Sequence, residues 1–330
     1  MMDLTPRTHD PVLYADLSGL DIVKNPADRA HWLELRRNGI GGSEAAAIVG
    51  VDPWSTPFEV FHDKKGNVPA KEQTRFMEWG HRLEDSVRRW FADETGLEVV
   101  KRDVMYAHPK HPWMLANLDA EVGDDAILEC KNTDARNADD WEDGPPLHYT
   151  LQTNHYLAVS GRRRAYVAVL IGGNDPRYFT LERDDELIDM LIAREERFWF
   201  DHVVADVEPD VTGRIGDTDV LRGLYPGETG SEMILPPDVV RLLLDRAAAK
   251  KAIKAAEAVV DDCENRVKQI LGDHEIGLGV DGSTLCTWKS NLTTKFNQKQ
   301  LKEDHPEIYE QYAYKAPQRR FLSNVGEDEG

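Results

Sequence analysis

Cysteine is scarce in this chain. Its 330 residues include three, Cys130, Cys263 and Cys286, and none belongs to a Cys-x-x-Cys pair. That excludes a disulfide framework and any four-thiolate zinc or iron–sulfur site built from this chain alone. Long apolar runs are missing too: none reaches the roughly 18 residues of a membrane span. The opening stretch, MMDLTPRTHDPVLYADLSG, lacks the basic, apolar and small-residue succession of a secretory signal, so a cytoplasmic protein is expected. No Gly-x-x-x-x-Gly-Lys-[Ser/Thr] loop occurs, which excludes a fused P-loop motor. Internal repeats and low-complexity tracts are also absent. Positive charge is in short supply, with 40 Lys and Arg against 60 Asp and Glu, a net charge of −20. A broad basic field for the phosphate backbone is therefore lacking, and any nucleic-acid contact must be local.

A hydrophobic share of 41% is enough for a sizeable core and excludes a disordered or fibrous class. The acidic excess is uneven: residues 1–210 carry 24 basic and 40 acidic groups, residues 211–330 only 16 and 20. Residues 27–49 have a helical pattern interrupted by Asn38-Gly39-Ile40-Gly41-Gly42, after which Ser43 is expected to cap a short helix. Thr56-Pro57-Phe58-Glu59 has the form of a capping box, and that helix should stop at Gly66. From Arg75 to Glu94, Trp79, Leu83, Val87, Trp90 and Phe91 form an apolar stripe that Gly96 ends. Strands are then expected at about 97–107, 113–122 and 126–133, followed by a helix from Leu147, strands at Ala165–Ile171 and through Phe179, and a long helix from Asp184 to Val204. This order predicts an α/β or α+β domain with a mixed central sheet flanked by helices. It spans residues 1–208. A Pro- and Gly-rich linker follows at 209–237, and an extension at 238–330 contains a long helix, a hairpin near 277–290, a helix near 298–313 and a last strand near 319–325.

The chemistry is concentrated in Asp119 and the run Glu129-Cys130-Lys131. In a strand, Glu129 and Lys131 share one face while Leu128 and Cys130 take the other, so the Cys130 side chain is read as core. A hairpin through Gly123-Asp124-Asp125 places Asp119 beside Glu129. Two carboxylates on adjacent strands make a hard oxygen site suited to Mg²⁺ or Mn²⁺. A lysine beside them can orient or deprotonate a water and offset phosphate charge, the equipment of metal-assisted phosphodiester hydrolysis. The same spacing equally describes a solvated strand face with an ordinary Glu–Lys pair. Glu84, at the edge of the apolar stripe, is placed to complete an acidic pocket. Gln152 begins a polar stripe with His155 on the helix after that strand, where Gln152 could touch substrate or be an ordinary helix-face amide. Arg36, the glycine turn and Ser43 together form a natural phosphate cradle.

Taken in order, RRNGIGGSEAAAIVGVDPWSTPFEVFHDKKG, EWGHRLEDSV, ANLDAEV, ILECKNT and LQTNHYLAVSG resemble the YqaJ-type viral recombinases, phage alkaline exonucleases of the lambda-exonuclease group within the PD-(D/E)XK nuclease superfamily. The resemblance covers about residues 30–205, and IGGSEAAAIVGVDPW is its most specific block. It implies that Asp119, Glu129 and the Cys130 carbonyl hold the metal, that Lys131 is catalytic, and that Glu84 and Gln152 belong to the same centre. It also implies that Arg36 and Ser43 bind a 5′ phosphate. His155 departs from the pattern, standing where a second glutamine is common. The activity implied is Mg²⁺-dependent 5′→3′ degradation of double-stranded DNA ends, leaving 3′ single strands for a phage annealing protein, by a ring-shaped homotrimer. Arg36-Arg37, Lys64-Lys65 and Arg162-Arg163-Arg164 are candidates for a basic DNA channel. A site-specific endonuclease and a catalytically silent DNA-end-binding module remain as alternatives on the residues alone.

Overall fold

A break in two strands organises the structure. A computed structural model describes residues 15–17, 20–23, 29–68, 74–227, 230–314 and 320–326. The chain divides into two units, Met1–Tyr225 and Pro226–Gly330. The first unit begins with β1 (Ala15–Leu17) and β2 (Leu20–Val23), followed by α1 (Arg29–Arg37), β3 (Ile40–Gly41), α2 (Gly42–Ile48), α3 (Pro57–Lys65) and α4 (Arg75–Thr95). Next come β4 (Val99–Val100), β5 (Met105–Ala107), β6 (Met114–Ala116), β7 (Ala120–Val122) and β8 (Ala126–Thr133). It closes with α5 (Leu147–Ser160), β9 (Arg164–Ile171), β10 (Asp175–Glu182), α6 (Asp185–Arg197) and α7 (Ile215–Leu224).

Each of the long strands expected at 97–107 and 113–122 is therefore two short ones, and their halves part company. One sheet has the order β1-β2-β5-β6-β3, the other β10-β9-β8-β7-β4. Both are mixed: β3 pairs with β6 and β8 with β9 in parallel, while the remaining pairs are antiparallel. The α/β class read from the sequence is what the structure has, with two five-stranded sheets among the described residues in place of one. The charged run Lys101-Arg102-Asp103 interrupts the first strand, and Asn117 to Asp119 interrupt the second. Asp119 thus sits at the step between the sheets.

β8 matches its expected bounds of 126–133. Its first residues, Ala126, Ile127 and Leu128, are buried, as suits a strand covered on both faces. Leu128 packs with Val87 and Phe91 of α4, and Cys130 joins that cluster. Helix α4 starts on Thr74, whose hydroxyl accepts from Met77 N, and ends on left-handed Gly96 at φ 68°. Its buried stripe is shorter than the sequence predicts: Val87 and Phe91 are buried, but Trp79 is 53% exposed. Helix α3 has the expected capping box, with Thr56 and Glu59 bonded reciprocally, and the expected left-handed Gly66.

Three other expectations need correction. The helix after the glycine turn is capped by Gly41, not Ser43, because Ser43 already lies in the first turn of α2. The helix expected from Asp184 to Val204 changes to π geometry at Phe198–Val204. The segment expected as linker contains α7, whose Asp217 is buried and accepts hydrogen bonds from Thr56 Oγ1 and from Thr212 Oγ1 at 2.7 Å.

The second unit contains α8 (Pro237–Leu271), the hairpin β11 (Ile276–Leu278) and β12 (Thr284–Thr287), α9 (Gln298–Asp304) and α10 (Pro306–Tyr312). The single helix expected near 298–313 is two, because Pro306 disfavours the helical conformation of His305, which sits at φ −138° and ψ 61°. No strand occurs among described residues 320–326, where a last strand was expected; position 319 lies outside the described residues.

Candidate active site

The broken strand and β8 bring Asp119 against Glu129. In the β7–β8 register Ala120 faces Leu128, and the Cys130 N–H donates to Asp119 Oδ2 at 2.7 Å. Glu129 and Lys131 leave β8 on the face opposite Leu128 and Cys130, toward α5, where Gln152 waits. The Lys131 ammonium lies 2.7 Å from Glu129 Oε1 and donates to Gln152 Oε1 at 3.0 Å. Gln152 Nε2 donates to the same Glu129 Oε1 at 2.7 Å and to the Tyr156 hydroxyl at 3.1 Å. Glu129, Lys131 and Gln152 thus close a three-membered ring of hydrogen bonds. The other carboxylate oxygen, Glu129 Oε2, is buried and has no hydrogen-bond partner among the described residues. A buried carboxylate oxygen left in that state is costly unless a cation or donor arrives.

The electrostatics agree with the geometry. Burial, then the charges of Glu129 and Glu84, raise the Asp119 carboxyl well above the ordinary aspartate range. Burial and the same three acids push the Cys130 thiol up. Burial opposes the Lys131 ammonium, but Glu129 and Tyr149 outweigh it, so its pKa is raised and it holds its proton. Two carboxylates and a strand backbone crowd one small volume, and a divalent cation would relieve both the Asp119 repulsion and the orphaned Glu129 oxygen. Side chains alone do not form a cage: among the described residues no three His, Cys, Asp or Glu groups converge to hold a metal. Glu84 is close enough for its charge to reach Asp119, yet its Oε1 accepts from Lys101 at 2.8 Å.

A second polar cluster is built around Glu44, which the sequence did not single out. Arg36 donates from Nε and Nη2 to Glu44 Oε1 at 3.2 and 3.0 Å, and from Nη2 to Ser43 Oγ at 3.2 Å. Lys64 reaches Glu44 Oε1 at 2.8 Å, Oε2 at 2.6 Å and the Arg36 carbonyl at 2.9 Å. The Gly41 N–H donates to Glu44 Oε2 at 2.9 Å. Burial would raise the Glu44 carboxyl; Lys64 and Arg36 outweigh it and hold it at about 2. Burial pulls the Lys64 ammonium down despite Glu44. Its three short contacts to oxygen fit the charged form, so the pair is ionic. The only sequence signal for Glu44 was its place three residues after Gly41, the position from which an acid caps a helix. Lys64 carried no signal beyond its charge.

The two clusters meet at Tyr156. A Cβ on Gly42 would collide with the Tyr156 ring, so glycine there lets α2 close onto α5 while Tyr156 accepts from Gln152 on its other side. His155, the departure from the expected pattern, is fully buried; its Nδ1 lies 2.9 Å from Glu195 Oε1 and its Nε2 2.9 Å from the Leu115 carbonyl. It holds α5 to α6 and β6. The proposed basic channel is largely occupied by acids. Lys64 is buried on Glu44, Lys65 pairs with Asp206 at 2.7 Å, and Arg163 and Arg164 pair with Asp125 and Glu182 at 3.0 and 2.7 Å. Arg162 faces Glu121 at 3.5 Å and donates to the Asp124 carbonyl.

Fold and site define a mixed α/β protein with a buried carboxylate–lysine–glutamine centre beside an arginine-bearing glycine turn. The sequence profile described as the YqaJ-like viral recombinase domain matches residues 31–163. A Bacillus subtilis (strain 168) protein described as "Uncharacterized protein YqaJ" is 37% identical over 302 residues, covering 89% of this chain and 93% of that protein. The chain belongs to the YqaJ-like viral recombinase family. Among solved structures, LHK-Exo in complex with dAMP aligns at 20% identity with a TM-score of 0.46, covering 54% of this chain and 94% of that one. A phage-related exonuclease from Haemophilus somnus 129PT aligns at 14% identity and a TM-score of 0.41, covering 53% and 99%. Among the described residues no helix is long and apolar enough to cross a membrane.

Proposed function

We propose that this recombinase-family protein is a divalent-metal-dependent nuclease that resects linear duplex DNA from its 5′ ends, leaving 3′ single strands for an annealing protein, with its catalytic machinery in residues 1–208. The observation that carries the reading is the buried Glu129 Oε2, unpartnered among the described residues, beside an Asp119 whose ionised form is disfavoured. Asp119, Glu129 and the Cys130 carbonyl would hold the ion, Mg²⁺ or Mn²⁺. Such an ion supplies charge neutralisation and lowers the pKa of a bound water. Lys131, kept in place by Glu129 and Gln152, offers its ammonium to the scissile phosphate and to the incoming water. Gln152 fixes both Glu129 and Lys131, so its part is orientation. Glu84 adds negative charge at the pocket edge, which favours cation over anion there. Arg36 and Ser43 hold the terminal 5′ phosphate. End entry, strand polarity and a trimeric ring rest on the family resemblance.

The test is digestion of a linear duplex labelled separately at each end, with and without Mg²⁺ or Mn²⁺, beside a covalently closed circle of the same sequence. Metal-dependent loss of the 5′ label first, with the circle intact, is the expected result. Equal cutting of the circle would make the protein an endonuclease. Binding without digestion at any metal concentration would make it an end-binding module.

A further inference from the structure

A row of rings leads away from the catalytic lysine, and no step of the proposed reaction uses it. Lys131 Nζ lies 4.4 Å from the centre of the Tyr149 ring. Tyr149 leans on buried Trp141 at 5.4 Å and meets His148 at 4.0 Å. The His148 ring in turn meets Trp54 edge-on, at 4.9 Å and 86°. Trp54, at the outer end, is 66% exposed. It stands in the block most specific to the family resemblance, yet neither the metal centre nor the phosphate cradle involves it.

Trp54 is exposed but not loose. The Asp52 side chain accepts from the N–H groups of Trp54 and Ser55, both at 2.7 Å, which fixes a tight turn around Pro53. Arg214 donates to the carbonyls of Asp52 and, at 3.1 Å, Ser55, tying the loop down from the other side. Thr56, the next residue, caps α3 and is buried. A large ring carried on a pinned loop has less backbone freedom left to lose when a partner arrives, which lowers the entropic cost of binding through it. Behind it, His148 Nε2 is buried and unpartnered among the described residues. An unspent polar atom therefore lies next to the exposed ring.

We infer that Trp54 is a stacking platform for an unpaired nucleobase of the strand whose phosphate lies at Lys131. The inference rests on the nuclease reading. It commits to a nucleobase because the row begins at the group that must meet the phosphodiester, so the adjoining base comes within reach of the rings. Aromatic stacking is tolerant of sequence because every base has a π face, as an enzyme that processes any duplex end requires. Trp54 would thereby bind the frayed terminal nucleotide and set the position of the phosphate.

The experiment uses the full-length protein, a 5′-phosphorylated linear duplex, and the same duplex with a tetrahydrofuran abasic residue at the first, second or third position from the 5′ end. Single-turnover rates are measured for wild type, Trp54→Ala and Trp54→Phe. Trp54→Ala should slow the intact duplex about tenfold or more, the range of base–aromatic stacking, while Trp54→Phe retains most of the rate. At one position the abasic residue should slow wild type by a similar factor and slow Trp54→Ala no further. A Trp54→Ala rate equal to wild type on intact DNA overturns the inference, as do losses that multiply at all three positions. The same combinations are read by anisotropy of the fluorescein-labelled duplexes without divalent metal. A wild type that never hydrolyses DNA refutes the nuclease reading, and the stacking inference then stands or falls on whether the binding losses converge in the same way.

Discussion

Glu44 and Glu129 are both buried glutamates facing a lysine, and they are satisfied to very different degrees. Glu44 has both oxygens engaged, by Arg36, Lys64 and the Gly41 N–H. Glu129 has one oxygen shared by Lys131 and Gln152 and the other with no hydrogen-bond partner among the described residues. The first is a closed network, which rigidifies the glycine turn and aims Arg36. The second is open on one side, where a cation, a donor or an ordered water can complete it. Completeness of hydrogen bonding, more than burial or charge, separates the two clusters.

The closed cluster should be the costlier to break for folding. Glu44→Ala leaves Lys64 buried without its counter-charge and should destabilise by about 3–5 kcal/mol, read as a loss of denaturation midpoint. A Glu44→Leu/Lys64→Met double variant, which removes both charges, should recover much of that loss. If Glu44→Ala melts like wild type, the network is not closed in solution. Acid should reveal the same pair. The folded Glu44 carboxyl sits at about 2, below its ordinary 4.5, so its contribution is complete above pH 4.5 and fades as pH falls toward 2. That amounts to about 3 kcal/mol, and a Lys64→Met variant should show a flatter acid limb between those values.

The open cluster should behave in the reverse way. Glu129→Gln and Lys131→Ala should cost no more in melting temperature than Glu44→Ala but lose DNA hydrolysis by ~10²-fold or more. Gln152→Ala should fall between them and wild type, since it removes orientation and not charge. Near-wild-type digestion by purified Lys131→Ala would sink the assignment of this centre.

Much of this comparison was only half legible in the sequence. Glu129, Lys131 and Asp119 could be read because strand alternation and a short turn bring them together by local rules. β8 and α4 were legible for the same reason: their periodicity and terminal glycines are local. The step at Asn117–Asp119 was not legible, because which sheet a strand half joins is a tertiary choice. Glu44 and Lys64 were hidden more deeply. They lie 20 residues apart on different helices, and Lys64 beside Lys65 has the composition of a solvated basic run. Only packing shows that one of the two lysines is inside. Trp79 erred in the opposite sense, since it keeps the helical spacing of the core stripe near the start of α4 but lies exposed.

The smallest expected effect is at the edge of the closed cluster. Ser43 accepts from Arg36 at 3.2 Å, and the Arg36 side chain is 31% exposed, so the guanidinium is held by Glu44 while part of it still faces solvent. A terminal phosphate carries about one more negative charge than an internal diester. Charge-assisted pairs are roughly twice as strong as neutral hydrogen bonds. Preference for 5′-phosphoryl over 5′-hydroxyl ends should therefore drop about tenfold in Arg36→Ala and only about two- to threefold in Ser43→Ala. Initial rates on the two kinds of duplex, for wild type and both variants, measure this. Glu44→Gln offers the sharper comparison: it weakens the anchor of Arg36 without touching phosphate, so it should reduce the preference while leaving the rate on 5′-hydroxyl ends near wild type. Equal rates on both ends in wild type would reduce the glycine turn to a helix start and leave Glu44 a purely structural role.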